Sequence, residues 1–279
     1  MKKYFIELLL LVVCTFLFAY FGEHKEKERA NFVLRIGVEC DYEPNNWEER
    51  TQTDSNVPIS NHEGYYAEGY DIQIAKIVAE KLDAALEVKK IAWNNLISSL
   101  LKGEIDAIFS GMLDTKERKR TISFTETYED SKTEYAVIVN TSTPYVMAEK
   151  LTDFKGAKFT AQRSTNLYAA ISQLPGAIAR PAVDTVADML IAVTTGRADA
   201  SILNLDTARS YEVTYKNIKV IRFPKDRGFN VGFNGICAGL RKNDSSLIYR
   251  INEALNTIPK SERRKIMEQT ISRLMSSSQ

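Results

Sequence analysis

The sequence predicts an α/β protein of two lobes, joined by two extended crossings into a clamshell with a cleft between them. Three observations predict it. Strand-like and helix-like segments alternate in two successive cycles, and long apolar segments separate and follow those cycles. The third is length: 279 residues accommodate a leader plus one or two domains with cores of their own.

Residues 23–31 are polar and read as a tether. Residues 32–38, Phe-Val-Leu-Arg-Ile-Gly-Val, form a β-branched run ending near a turn, a buried strand. Residues 45–68 are rich in Asn, Ser, Pro and Gly and read as a long, hairpin-like loop. Over 70–82 the apolar residues recur at helical spacing. Residues 86–88 are a second strand. Residues 96–101 are a helix that Gly103 ends, glycine suiting a left-handed cap, and 105–109 are a third strand. Parallel strands need a helical crossover, so this β-α-β-α-β order implies a mostly parallel sheet. The second cycle has strands at 158–161 and 199–203, with helices at 166–173 and 186–195, the latter ended by Gly196. The segments 134–139 and 232–240 supply the crossings, and 253–275 are terminal and helical. The chain thus divides into a leader (1–22), a tether (23–31), lobe 1 (32–136 with 238–279) and lobe 2 (139–231).

The leader stands apart from the fold. Met1-Lys2-Lys3 is a positive start, and from Tyr4 to Phe21 only Glu7 and Thr15 interrupt an apolar run. That is an export signal or an uncleaved membrane anchor, and at about 1.5 Å per residue it is just long enough to span a bilayer. Leu11-Val12-Val13-Cys14 resembles a bacterial lipobox, so lipidation at Cys14 is a second route to the membrane. Either route leaves the body at the periplasmic or extracellular face. An oxidising compartment permits a Cys40–Cys237 disulfide, with two separate buried thiols as the preferred reading.

Composition excludes several classes. Lys plus Arg number 37 against 36 Asp plus Glu, with no basic excess to hold nucleic acid. Two histidines, His24 and His62, and two distant body cysteines make no metal site, and no cofactor is implied. No Gly-x-Ser-x-Gly nucleophile elbow occurs.

In order and spacing, Leu34-Arg35-Ile36-Gly37-Val38, Asp41-Tyr42 with Pro44, Gly69-Tyr70-Asp71-Ile72, Gly103-Glu104-Ile105-Asp106-Ala107-Ile108 and Thr115-Lys116-Glu117-Arg118 form one pattern. It continues through Phe124-Thr125 with Tyr128, Phe154-Lys155-Gly156-Ala157-Lys158 and Gly239-Leu240-Arg241-Lys242. The set resembles the family 3 solute-binding proteins of polar amino-acid ABC transporters, across nearly the whole chain after the leader. The resemblance implies a type II periplasmic-binding-protein-like clamshell. It implies a monomer that captures a small amino-acid-like ligand by hinge closure and hands it to a transporter permease, without catalysis.

The resemblance also implies a ligand site. Arg118 offers a guanidinium fork that matches a carboxylate in two parallel bonds, with Ser164 and Thr165 at a helix start beside it. Ser110, Gly111 and Met112 follow a strand and face the ligand ammonium, and Gln162 lines the second lobe. Tyr42 and Trp93 stand where the family places walls against the ligand side chain. Glu39 matches a carboxylate that faces a cationic side chain in the basic-amino-acid binders; a solvated acid is the alternative. One departure concerns the second lobe. Where the family has an acid for the ammonium, this chain has Asn204, with Asp206 two residues on, and either residue is open to that role. Leu113 stands where some members have serine. Two other functions fit the fold: a cyclohexadienyl or arogenate dehydratase-like enzyme, with Glu39, Asp41 or Asp206 as acid, and a ligand-sensing receptor domain.

Overall fold

The computed structural model describes residues 32–129, 134–224, 227–230 and 235–277. The leader, Cys14 and the whole of the tether lie outside these. Among the described residues no helix is long and apolar enough to cross a membrane.

The chain runs β1 (Val33–Val38), β2 (Asp41–Tyr42), β3 (Asn46–Glu49), β4 (Val57–Pro58), β5 (Tyr66–Glu68), α1 (Tyr70–Lys81), β6 (Ala85–Lys90), α2 (Leu96–Leu101), β7 (Ala107–Ile108), α3 (Lys116–Thr121) and β8 (Ser123–Glu129). It then forms β9 (Tyr135–Asn140), β10 (Lys158–Phe159), α4 (Asn166–Ala170), β11 (Ile178–Ala179), α5 (Val186–Thr194), β12 (Ala200–Asn204), α6 (Leu205–Thr214) and β13 (Ile218–Ile221). It ends with β14 (Ile236–Leu240), α7 (Ser245–Asn256) and α8 (Lys260–Ser277).

Two five-stranded sheets organise two lobes, ordered β6-β1-β7-β14-β8 and β11-β10-β12-β9-β13. In the first, β1 lies parallel to β6 and β7 while β14 is antiparallel to β7 and β8. In the second, β10 is parallel to β11 and β12 while β9 is antiparallel to β12 and β13. The chain leaves the first sheet from β8 and re-enters it at β14, so the strands flanking the two crossings are neighbours in each lobe. Each sheet is covered on both faces, as parallel strands require. In the first lobe, Leu34, Ile36 and Val38 pack with Ile72, Val78 and Leu255, and Leu96, Leu100 and Ile105 cover the other face. In the second, Ala136 and Ile138 turn towards Met189 and Val193, while Val137 and Val139 turn towards Phe154 and Phe159.

Several expectations are corrected. Residues 135–140 are the buried strand β9, so nearly all of the 134–139 segment lies within the second sheet rather than bridging the lobes; an apolar run buried on both faces reads like any apolar connection. Residues 236–240 likewise belong to the first sheet as β14. The polar stretch 45–68 holds strands of a four-stranded antiparallel sheet, β2-β3-β5-β4, too short to show alternation in sequence. The terminal region is two helices separated at Thr257–Pro259, and α3, β8, α6 and β13 add to the elements expected from spacing. Cys40 and Cys237, by contrast, are the two separate buried thiols that the sequence favours.

Two local devices fix opposite ends of the first lobe's sheet. Gly69 has φ +127, and a Cβ there would stand 2.3 Å from the Asn45 carbonyl oxygen. Only glycine lets α1 begin against the 44–46 segment. Below the sheet, Arg35 donates to Asp106 through Nε (2.9 Å), Nη2 (2.7 Å) and its backbone N (3.1 Å). Arg241 adds a bond to Asp106 and donates to the Leu100 and Ile105 carbonyls.

Candidate functional site

The site is assembled from loops that follow strands of both lobes. From the first lobe come the 39–42 segment after β1, Trp93 after β6, Ser110–Leu113 after β7, and Arg118 on α3. From the second come Gln162–Leu167 after β10 and Asn204 at the end of β12. Glu39, Tyr42, Trp93, Ser110, Gly111, Leu113, Arg118, Gln162 and Thr165 share one small cleft with Asn166 and Leu167, whose remaining volume is about 50 Å³.

The lobes touch there through polar groups. Arg118 Nη2 donates to the Ser164 carbonyl (3.1 Å), and Nη1 donates to the Leu113 carbonyl (2.9 Å). Its guanidinium also sits 4.9 Å from the centroid of Trp93, a cation–π arrangement. Trp93 Nε1 donates to the same Ser164 carbonyl at 3.3 Å. Gln162 Nε2 donates to Glu39 Oε1 and to the Asp184 carbonyl. Asn204 Nδ2 donates to the Tyr42 hydroxyl, and the Ala187 amide donates to Asp41 Oδ2 at 3.4 Å.

Burial shapes the electrostatics. Glu39 is 5% exposed; desolvation, then the nearby Asp41 charge, pushes its carboxyl up to about 8 against the opposing bond from Gln162. Desolvation also lowers Arg118 to about 10, leaving it charged at neutral pH. Asp41 is raised by burial, and Glu43 is raised to about 7 by burial and by Asp41. Among the described residues lining the cleft, Glu39 is the one acid and Arg118 the one base. A ligand with a carboxylate at one end and a cation at the other meets a partner for each.

Local structure explains the placements. Ser110 is buried and accepts from the Glu39 amide at 3.0 Å, which holds the two first-lobe loops together. Gly111 has φ +60, and a Cβ there would stand 2.9 Å from Tyr42 Cε1. Gly111→Ala should displace the Tyr42 ring and add backbone strain of roughly 1–3 kcal/mol. A lower melting temperature and weaker ligand binding are the expected results, read by thermal denaturation and calorimetry. Thr165 caps α4 by accepting from the Tyr168 amide, and its hydroxyl donates to the Gln162 carbonyl at 2.6 Å. Ser164, at φ 59, presents its carbonyl to the cleft.

Two expected residues lie elsewhere. Met112 is 1% exposed and packs with Leu96, Leu100 and Ile122; it lies beyond β7, after the backbone turns at Gly111 (φ +60), so its side chain enters the core while Ser110 and Gly111 meet the cleft. Asp206 lies in the first turn of α6, past the point where Asn204 meets Tyr42. Its side chain is 58% exposed, 4.0 Å from Arg209. It lines a larger hollow of about 590 Å³ beside the crossings, with Glu134, Arg222 and Arg264. Asn204 borders that hollow too, but Arg118 and Glu39 do not. Asn166 and Leu167 join the cleft without having been expected there. The signal was present, since a helix capped at Thr165 must carry its first-turn residues to the same edge.

A family profile described as bacterial extracellular solute-binding proteins, family 3, matches residues 34–272. The chain is 24% identical over 257 residues to the arginine-binding extracellular protein ArtP of Bacillus subtilis, covering 91% of this chain and 92% of that protein. It is 25% identical to a probable histidine-binding protein of Campylobacter jejuni, covering 84% and 85% respectively. Among solved structures, the substrate-binding protein of an amino acid ABC transporter has a TM-score of 0.71 at 26% identity, covering 85% of this chain and 98% of that one. An L-arginine-bound substrate-binding protein from Streptococcus pneumoniae has a TM-score of 0.74 at 20% identity, covering 90% and 97%, a likeness of fold.

Proposed function

Because the chain belongs to the bacterial extracellular solute-binding proteins of family 3, we propose that it captures an amino acid with a cationic side chain between its lobes and delivers it to an ABC transporter permease. The observation that carries this reading is the pairing of one buried acid, Glu39, with one guanidinium, Arg118, in a single cleft. The ligand carboxylate takes the Arg118 fork, its side-chain cation faces Glu39, and Trp93 and Tyr42 flank the stem. The α-ammonium meets neutral acceptors around Ser110 and Asn204. Names of relatives support the same class, arginine- and histidine-binding proteins among them.

The cleft also supports a mechanism. About 50 Å³ is far less than the roughly 300–1,000 Å³ of small-molecule sites. The lobes therefore part to admit the ligand, giving up the Arg118–Ser164, Glu39–Gln162 and Tyr42–Asn204 contacts. Ligand bonds to both lobes then replace those contacts and favour closure. The closed protein acts as a monomer at the outer face of the membrane, held there by the 1–22 leader or a lipid on Cys14.

The test is a thermal-shift and calorimetric screen of residues 24–279 against the proteinogenic amino acids, repeated across pH. Glu39 is protonated below about 8 in the folded protein, so seating a cation opposite it releases a proton. Affinity for L-arginine or L-lysine should rise as pH increases towards 8 and then level off, and Glu39→Gln should flatten that rise. Tight binding of a neutral amino acid with no such pH dependence would replace the cationic ligand with a polar one.

A dehydratase-like enzyme is the second reading, favoured by one observation: a carboxyl at about 8 is a proton donor at neutral pH. Turnover of a cyclohexadienyl substrate that Glu39→Gln abolishes would establish it over the binder.

A further inference from the structure

Asp71 lies in the Gly69-Tyr70-Asp71-Ile72 motif and does not line the cleft, yet it is a fully buried carboxylate. Donors from three segments converge on it. The Tyr128 hydroxyl donates to Oδ1 at 2.7 Å, Asn46 Nδ2 donates to Oδ2 at 2.8 Å, and the Gly111 amide donates as well. Asn46 in turn accepts from the Cys40 amide at 2.8 Å. Each of these neighbours is tied to a functional segment. Cys40 lies between Glu39 and Asp41, and Gly111 packs beneath Tyr42. Tyr128 is the penultimate residue of β8, before the first crossing, and its carbonyl accepts from Tyr70 Oη at 2.7 Å. Asp71 also reaches the 44–46 segment by backbone, its amide donating to the Asn45 carbonyl at 2.8 Å.

Desolvation raises this carboxyl to about 7, against the bonds from Tyr128, Asn46 and Gly111. An apolar residue would pack at this site with less penalty. What the carboxylate alone supplies is acceptor geometry, enough lone pairs to join three donors from three segments.

We propose that Asp71 is the positioning residue of the ligand site, a buried acceptor that fixes the 39–46 and 110–111 loops to each other and to the strand entering the first crossing. The proposal rests on the binding function proposed above. It assigns ligand affinity to a residue that no ligand touches, acting through Asn46 and Gly111.

A reciprocal exchange tests it. In Asp71→Asn the new amide faces the Asn46 amide, whose oxygen is already committed to Cys40, so donor meets donor. In Asn46→Asp two carboxylates face each other. The double variant Asp71→Asn/Asn46→Asp restores a complementary pair. Its carboxylate, now at position 46, accepts from the Cys40 amide and from the side-chain amide now at position 71. The oxygen of that side-chain amide accepts from Tyr128 and Gly111.

Two readouts apply: calorimetric affinity for L-arginine, and hydrogen exchange of the Cys40 and Gly111 amides. Each single variant should bind about 10- to 100-fold more weakly and exchange both amides faster, and the double variant should regain most of both. Where a single variant does not fold, Tyr128→Phe, which removes one donor and little volume, should show a smaller loss of the same kind. Wild-type affinity in Asp71→Asn with unchanged exchange would overturn the assignment, as would a folded double variant that recovers neither. Amide exchange needs no ligand. A protein that binds no amino acid but shows loss and rescue of protection would overturn the proposed function and leave the positioning role standing.

Discussion

Arg118→Ala should weaken ligand capture by roughly 2–5 kcal/mol, the range for removing one partner of a buried, hydrogen-bonded charge pair. At about 1.4 kcal/mol per tenfold, that is a loss of at least about 30-fold in affinity. The physical reason is the setting of the guanidinium. Trp93 covers one of its faces, and the Leu113 carbonyl of the same lobe already orients Nη1. Little side-chain freedom is left to lose when a carboxylate docks. Arg118→Lys should recover only part of the loss, because a point charge cannot make two parallel bonds to a carboxylate. Calorimetry with the best ligand of the screen measures both, with circular dichroism to establish that each variant is folded. A dissociation constant unchanged in Arg118→Ala would remove this residue from the site.

The second large effect concerns stability. Asp106→Ala should destabilise the protein by about 2–3 kcal/mol, measured by urea denaturation at pH 7. Asp106 accepts three bonds from Arg35 and one from Arg241. It thereby joins the start of the first sheet to the α2–β7 turn and to the segment after β14. The figure sits below that for a fully buried pair because the Arg35 side chain is 36% exposed and partly screened. Acid supplies the sign check. Burial by itself would raise the Asp106 carboxyl, but the bonds and charge of Arg35, with Arg241, outweigh it and hold it below the usual range. Its contribution is therefore complete above the unfolded value of about 3.9 and fades as pH falls through the lower folded value. Wild type and Asp106→Ala should differ at neutral pH and converge in strong acid. A difference that persists undiminished in acid would mean that packing, not the ion pair, is the source.

Stability and function divide between two polar clusters of the first lobe. Arg35–Asp106 locks the sheet at the end away from the cleft, while Asp71 and Ser110 hold the loops at its edge. Mutations at the first site should alter denaturation with little change in affinity, and mutations at the second should lower affinity as well as stability.

What the sequence determined by itself was whatever repeats locally. The helix over Tyr70–Lys81, its neighbours Val33–Val38 and Ala85–Lys90, and the glycine endings at Gly103 and Gly196 follow from residue spacing and backbone freedom within a few residues. The residues expected at the cleft came instead from the family resemblance, whose ordered motifs preserve loop position along the chain, and most of them line one cleft. Three things were decided only in tertiary structure. The role of residues 134–139 depended on which strands lay on either side, since burial on both faces and an apolar link have the same composition. The placement of Asn204 and Asp206 depended on the turn from β12 into α6, which brings Asn204 to Tyr42 from 162 residues away and leaves Asp206 in solvent. The fate of Glu39 was set by Gln162, 123 residues along, and by the water their meeting excludes. Spacing in sequence carries periodicity and caps, whereas desolvation and partner choice arise only when distant segments are brought into contact.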